Sequence, residues 1–79
     1  MNITIKTFGI TRDILGGREV TVDLPGNTVA ELRQLLTRKH PELLDLRSLM
    51  IAVNNSYAQE HQEINETDEI ALIPPVSGG

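Results

Sequence analysis

The chain has 79 residues, a net charge of −4 and no cysteine, which predicts one small domain without disulfides or thiol chemistry. Seven basic residues, one Phe, one Tyr and no Trp do not form the basic, aromatic face that nucleic acids require, so we expect no nucleic-acid partner. We also expect no membrane partner and a cytoplasmic location, since the sequence has neither an apolar run of about 18 residues nor a secretory start. The acidic balance favours basic protein partners.

The first segment alternates apolar and polar residues. Ile3 and Ile5 alternate with Thr4 and Lys6, the period of a half-buried strand. The same parity places Phe8 on the face opposite the core. A turn inward at the strand end is the equal alternative for this side chain.

Two short elements follow. Residues 10–15 suffice for about one helical turn, and Gly16-Gly17 ends it. Residues 20–24 again alternate, which predicts a second strand, antiparallel to the first.

One longer helix is predicted from Thr28. Thr28 and Glu31 have the spacing of a capping box, and Pro41 ends the helix. Its apolar positions share one face, at the spacing of a helix laid on a sheet: Val29, Leu32, Leu35 and Leu36. Glu31, Arg33, Gln34 and Arg38 are expected on the solvent side.

The second half predicts an irregular connection over 42–47, a strand over 49–53, and a polar stretch over 57–63 that can hold a short edge strand. A turn over 65–68 precedes a final strand over 69–73. Three leucines are expected to anchor the connection: Leu43, Leu44 and Leu46.

One helix cannot cover two sheet faces, so it should lie across one face of a mixed sheet with the first and last strands parallel in the middle. This α+β layout is a β-grasp, or ubiquitin-like, fold. On the uncovered face Phe8 and Ile73, with Tyr57 beside them, predict an apolar patch that marks a partner site. The alternative is a set of isolated exposed apolar residues.

The C-terminal segment is the most particular feature. Pro74 and Pro75 stop strand pairing, and residues 76–79 form a slim tail beyond a domain of residues 1–75. The tail reads Val76-Ser77-Gly78-Gly79. Its two glycines fit a narrow slot and bring the terminal carboxylate to another molecule.

No catalytic set is recognisable elsewhere. The sequence has no Ser-His-Asp arrangement and no phosphate-binding loop, and neither His40 nor His61 has a partner at ligand spacing, so we expect no metal site. The Gly79 carboxylate must be activated before it reacts, for example as an acyl adenylate. Such a chain is a carrier or co-substrate rather than a catalyst by itself.

Several motifs together resemble the small-subunit family of molybdopterin synthase, the sulfur carriers of molybdenum-cofactor biosynthesis. They are Phe8-Gly9, Arg12-Asp13 with Gly16, the helix start Thr28-Val29-Ala30-Glu31-Leu32, Ala52-Val53-Asn54, and Asp68 to Gly79. The last is the most specific. Thr67 departs from the glycine usual in this family before Asp68-Glu69, so this turn is expected to differ in shape.

The resemblance implies a cycle and its partners. A ubiquitin-activating-type adenylyltransferase uses ATP to adenylate Gly79, a sulfur donor protein makes the thiocarboxylate, and the tail passes sulfur to cyclic pyranopterin monophosphate inside the large synthase subunit. The family forms heterotetramers. No bound cofactor is implied. Phe8, Tyr57 and Ile73 match contacts with the large subunit, and Arg12 is a further expected partner contact.

Other functions remain open. A sulfur carrier for thiamine or tRNA thiolation shares the fold and the Gly-Gly chemistry. A modifier conjugated to lysines requires activation too, and a plain ubiquitin-like binding module never uses its terminus.

Overall fold

The computed structural model describes residues 1–46 and 48–75. Its elements in chain order are β1 (Asn2–Thr7), α1 (Ile10–Leu15), β2 (Glu19–Asp23), α2 (Val29–Lys39), a 3-10 helix (Pro41–Asp45), β3 (Met50–Val53), β4 (Ser56–Tyr57) and β5 (Ile70–Ile73). No helix in the described ranges is long and apolar enough to cross a membrane.

The five strands form one mixed sheet in the order β2-β1-β5-β3-β4. β1 and β5 are parallel, with Ile5 opposite Ile70 and Thr7 opposite Leu72, and the remaining neighbours are antiparallel. The predicted β-grasp fold is confirmed, including the central parallel pair. Its consequence for function is that the last strand runs through the middle of the sheet and ends beside the end of the first.

Helix α2 begins at a side-chain cap and covers one face of the sheet with its apolar stripe. The Thr28 hydroxyl accepts a hydrogen bond from the Glu31 amide at 3.2 Å, and Glu31 accepts from the amide of Thr28 at 3.2 Å, so the predicted capping box is present. Hydrogen bonds from the Asn27 amide and from Thr28 lower the pKa of Glu31. The predicted stripe is buried against the inner face of the sheet, with Ile3, Ile5, Ile51, Ile70 and Leu72 among its core partners.

Three local predictions need correction. The connection after α2 is partly regular, because Pro41–Asp45 is a 3-10 helix. Leu44 does not anchor it, since its side chain is 71% exposed, whereas Leu43 is buried. Arg33 was expected on the solvent side, but its Nη1 donates to the Leu49 carbonyl oxygen at 2.5 Å and its Nε lies 2.7 Å from Glu60.

The turn between β3 and β4 is locked to the turn before β5 by side-chain hydrogen bonds. Asn54 and Asn55 have φ of 52° and 70°, the left-handed geometry of a tight hairpin turn. The side-chain Nδ2 of Asn54 donates a hydrogen bond to Oδ1 of Asp68 at 3.1 Å, and its Oδ1 accepts one from the backbone amide of Glu69 at 2.9 Å. Thr67 is not among the positive-φ residues, so this turn avoids the conformation that a threonine disfavours.

We expect Asn54→Ala to destabilise the fold more than Asn55→Ala does. Both substitutions place alanine at a positive φ, but only Asn54 makes side-chain hydrogen bonds within the described residues. Losing them should cost about 1–2 kcal/mol, or a further drop of roughly 5–10 °C in Tm. Thermal unfolding of the two variants measures the difference, and equal Tm values would show that these bonds contribute nothing.

Candidate partner-binding face and tail exit

Pro74, which follows β5, lies against Gly9 at the start of α1, and we call this junction the tail exit. Gly9 has φ +55°, and a Cβ there would lie 3.4 Å from Cγ of Pro74. The buried Thr11 hydroxyl donates to the Phe8 carbonyl oxygen at 2.6 Å and accepts from the Phe8 amide at 2.9 Å. The positive φ favours glycine at position 9, and the contact places Pro74 beside the start of α1.

The outer face of the sheet carries exposed apolar side chains next to this junction. Phe8 is 44% exposed and Tyr57 is 68% exposed, so the outward parity predicted for Phe8 is confirmed over the inward alternative. Thr7 is paired with Leu72, so Phe8, which directly follows β1, and Ile73, the last residue of β5, come next after this pair in the two segments. We call Phe8, Met50, Tyr57 and Ile73 the outer apolar face.

The structure groups the four predicted partner residues in pairs. Tyr57 and Ile73 line one hollow of about 260 Å³, together with Ala52, Asn55 and Ala71. Phe8 and Arg12 line a larger hollow on the β1–β2 side of the tail exit. The predicted site residues therefore lie on both sides of the exit, and their roles remain predictions.

Two residues of this region were missed in the sequence. Met50 is 38% exposed and pairs with Ile73 across β3 and β5. Met50 and Ala52 are two positions apart in one strand and therefore face the same side of the sheet, a spacing that could have placed Met50 on this face from the sequence. Arg18 lines the same hollow as Arg12. No local sequence pattern indicates this, because the two arginines come to line one hollow only when α1 and the start of β2 pack beside β1.

Lys6 is the one cation of this region with an ion-pair partner in the described chain. Its Nζ lies 2.5 Å from Glu69. The hydrogen bond and charge of Glu69, with a smaller contribution from Glu19, raise the pKa of Lys6. Both side chains are about half exposed, so this pair contributes little to stability.

Part of the predicted site lies outside the described residues, and within them the structure shows how potential metal-ligating side chains are arranged. Within residues 1–46 and 48–75, no group of three or more His, Asp or Glu side chains is placed to hold a metal ion. The predicted tail residues Val76, Ser77, Gly78 and Gly79 lie outside the described residues. Pro74 and Pro75 are the last described positions, both partly buried.

Comparison with known proteins places the chain in a family. Residues 5–79 match the ThiS family. A molybdopterin synthase sulfur carrier subunit from Caenorhabditis briggsae is 36% identical, covering all of this chain and 99% of that protein.

Two solved structures share the fold over their full lengths. SAMP1, a small archaeal modifier protein from Haloferax volcanii, has 29% identity and a TM-score of 0.80, with both chains fully covered. A chain from the complex of subunits 1 and 2 of the molybdopterin-converting factor of Helicobacter pylori has 27% identity and a TM-score of 0.67, again with full coverage of both. The chain therefore belongs to the ThiS family, and over its full length it resembles molybdopterin synthase sulfur carrier subunits.

Proposed function

We propose that this chain is the sulfur carrier subunit of molybdopterin synthase. The observation that carries the proposal is the position of the tail exit. Strand β5 ends at Ile73, which belongs to the outer apolar face, so a protein that covers this face lies beside Pro74 and Pro75, the last described residues before the Gly-Gly end of the sequence. Full-length similarity to sulfur carrier subunits of this synthase supports the same function.

The proposed chemistry takes place at Gly79 in two steps. A carboxylate oxygen of Gly79 attacks the α-phosphorus of ATP on an adenylyltransferase, pyrophosphate leaves, and an acyl adenylate forms. Sulfide-level sulfur from a donor protein then adds to the acyl carbon, AMP leaves, and a thiocarboxylate remains. The carrier itself needs no bound cofactor, because its partners supply the catalytic groups.

Sulfur transfer is proposed to occur in the large synthase subunit. The thiocarboxylate sulfur forms a bond to a carbon of cyclic pyranopterin monophosphate that carries oxygen, and the C–O bond at that carbon breaks, the oxygen leaving as water or staying on the phosphate. Water then hydrolyses the acyl–sulfur bond, which leaves the sulfur on the pterin and returns Gly79 to a carboxylate. Two such transfers make the dithiolene. Docking through the outer apolar face positions the tail, so that the reaction proceeds within a complex rather than by chance encounter. We propose a heterotetramer with the large subunit and a cytoplasmic location.

The mass of the intact protein recovered from its own cells, without acid or strong reductant, tests the proposal. We expect a fraction heavier by the exchange of one oxygen for one sulfur, with the change mapped to Gly79. The same species should accumulate when purified chain is incubated with ATP, the adenylyltransferase and a sulfur source. A chain that stays unmodified in that incubation would contradict the carrier function and favour a binding module.

A second candidate is a modifier conjugated to lysines, which the similarity to SAMP1 favours. Adenylation at Gly79 is common to both functions, but the end products differ. A modifier accumulates as isopeptide adducts on other proteins, whereas a carrier returns unchanged. A carrier for thiamine or tRNA thiolation also forms the thiocarboxylate and is distinguished by which partner accepts the sulfur.

A further inference from the structure

A hollow of about 590 Å³ lies on the β1–β2 side of the tail exit and concentrates positive charge in an acidic chain. Three of the seven basic residues are among its lining residues, which are Lys6, Thr7, Phe8, Arg12, Arg18 and Glu19. Lys6 is neutralised by Glu69. Neither the Arg12 nor the Arg18 guanidinium has a carboxylate of the described residues within 4 Å. We call this hollow the arginine cleft.

The backbones of both arginines are fixed by the fold. The Arg18 carbonyl oxygen accepts from the Thr7 amide at 2.9 Å, and the Thr7 hydroxyl donates to the carbonyl oxygen of Gly17. On the opposite side, the Arg12 carbonyl oxygen accepts from the amides of Gly16 and Gly17 at 2.9 and 3.2 Å. The backbone of the cleft is therefore set before binding, and binding an anion has to restrict only the side chains of the two exposed arginines.

The lining of the cleft fits an anion, and a protein partner supplies one as a carboxylate. Guanidinium groups bind carboxylates through paired, planar hydrogen bonds, and two arginines on one hollow fit one or two acidic side chains. Phe8 lines the cleft and also belongs to the outer apolar face. A partner that covers the face therefore reaches the cleft without a separate binding event.

We propose that the arginine cleft is the polar part of the docking surface for the large synthase subunit and receives an acidic side chain of that subunit. This inference rests on the proposed function. It goes beyond it by assigning Arg18 to the docking surface and by giving the partner's contacting side chain a negative charge. Outside the cleft acidic residues outnumber basic ones, so an acidic group of the partner is favoured at the cleft, which helps to set the orientation of docking.

The test is calorimetric titration of the full-length chain with the large subunit from the same genome. Arg18→Gln and Arg12→Gln are compared with Arg38→Gln, which removes the same charge from α2 on the other side of the sheet. At about 0.05 M NaCl we expect each cleft variant to raise Kd about three- to tenfold, and Arg38→Gln to leave it within twofold. At about 0.5 M NaCl, where the Debye length is roughly 4 Å, the difference should become smaller.

Equal Kd values for Arg18→Gln and Arg38→Gln at low salt would overturn the inference while leaving the proposed function intact. Absence of binding by the unmodified chain would overturn both. Inorganic phosphate, followed by NMR at the amides of Phe8, Arg12 and Arg18, checks the other anion class. Shifts with sub-millimolar phosphate, together with equal Kd values for the protein, would assign the cleft to a phosphate ligand instead.

Discussion

We expect the chain extended by one alanine after Gly79 to form its thiocarboxylate at least a hundredfold more slowly than the natural chain. One extended residue moves the carboxylate by about 3.5 Å, and misplacement of a reacting group by about 1 Å can already cost a hundredfold in rate. Tm should be unchanged, because the core lies between Ile3 and Leu72. Intact mass after incubation with ATP, the adenylyltransferase and a sulfur source measures the rate.

Gly79→Ala is the matched control, because it adds the same methyl group without lengthening the chain. If the reacting site has a narrow entrance, this variant is also slow; if position alone matters, it retains most of its activity. Extension with no loss of rate would contradict a reacting terminus. Retained partner binding in that case would favour the binding-module interpretation.

The sheet order and the main helix could be predicted from the sequence because local and long-range signals agree there. The alternation at Ile3 and Ile5, the capping box at Thr28 and the proline stop at Pro74 each point to the same fold, and a single helix leaves one sheet face uncovered. Parity then placed Phe8 and Ile73 on that face. Period-two patterns specify faces well, since a shift of one residue would expose the entire core side.

The rest depended on tertiary contacts that have no local signal. Leu44 and Leu43 are adjacent leucines, but only Leu43 is buried, since which of them packs depends on how the 3-10 helix lies against α2. Arg33 reaches Leu49 across 16 positions of sequence. Arg18 joins Arg12 in one cleft only after Thr7 binds the loop between them, so the arginine cleft could not be predicted from spacing.

The core of this domain is small, and its stability should increase on docking. A chain of 79 residues is expected to have a free energy of unfolding of only about 4–12 kcal/mol. A partner that binds the folded state alone adds to this value according to its concentration and affinity. A substitution in the core should therefore mainly lower Tm, whereas a substitution on the outer apolar face should mainly raise Kd for the partner.

Leu72 and Ile73 allow this separation within one strand, because they are neighbours that face opposite sides of the sheet. Leu72 is fully buried, so Leu72→Ala should cost about 2–5 kcal/mol and leave much of the chain unfolded near 37 °C. Ile73 is only partly buried and lies on the outer apolar face. We expect Ile73→Ala to lower Tm by only a few degrees but to raise Kd for the large subunit about tenfold or more.

Thermal unfolding and calorimetric titration of both variants measure the two effects. For Leu72→Ala, excess large subunit should restore part of the lost Tm, since its binding surface is intact and folding is coupled to binding. For Ile73→Ala the partner should raise Tm less than it does for the natural chain. An Ile73→Ala variant with unchanged Kd would show that the outer apolar face is not the docking surface, whatever the tail itself does.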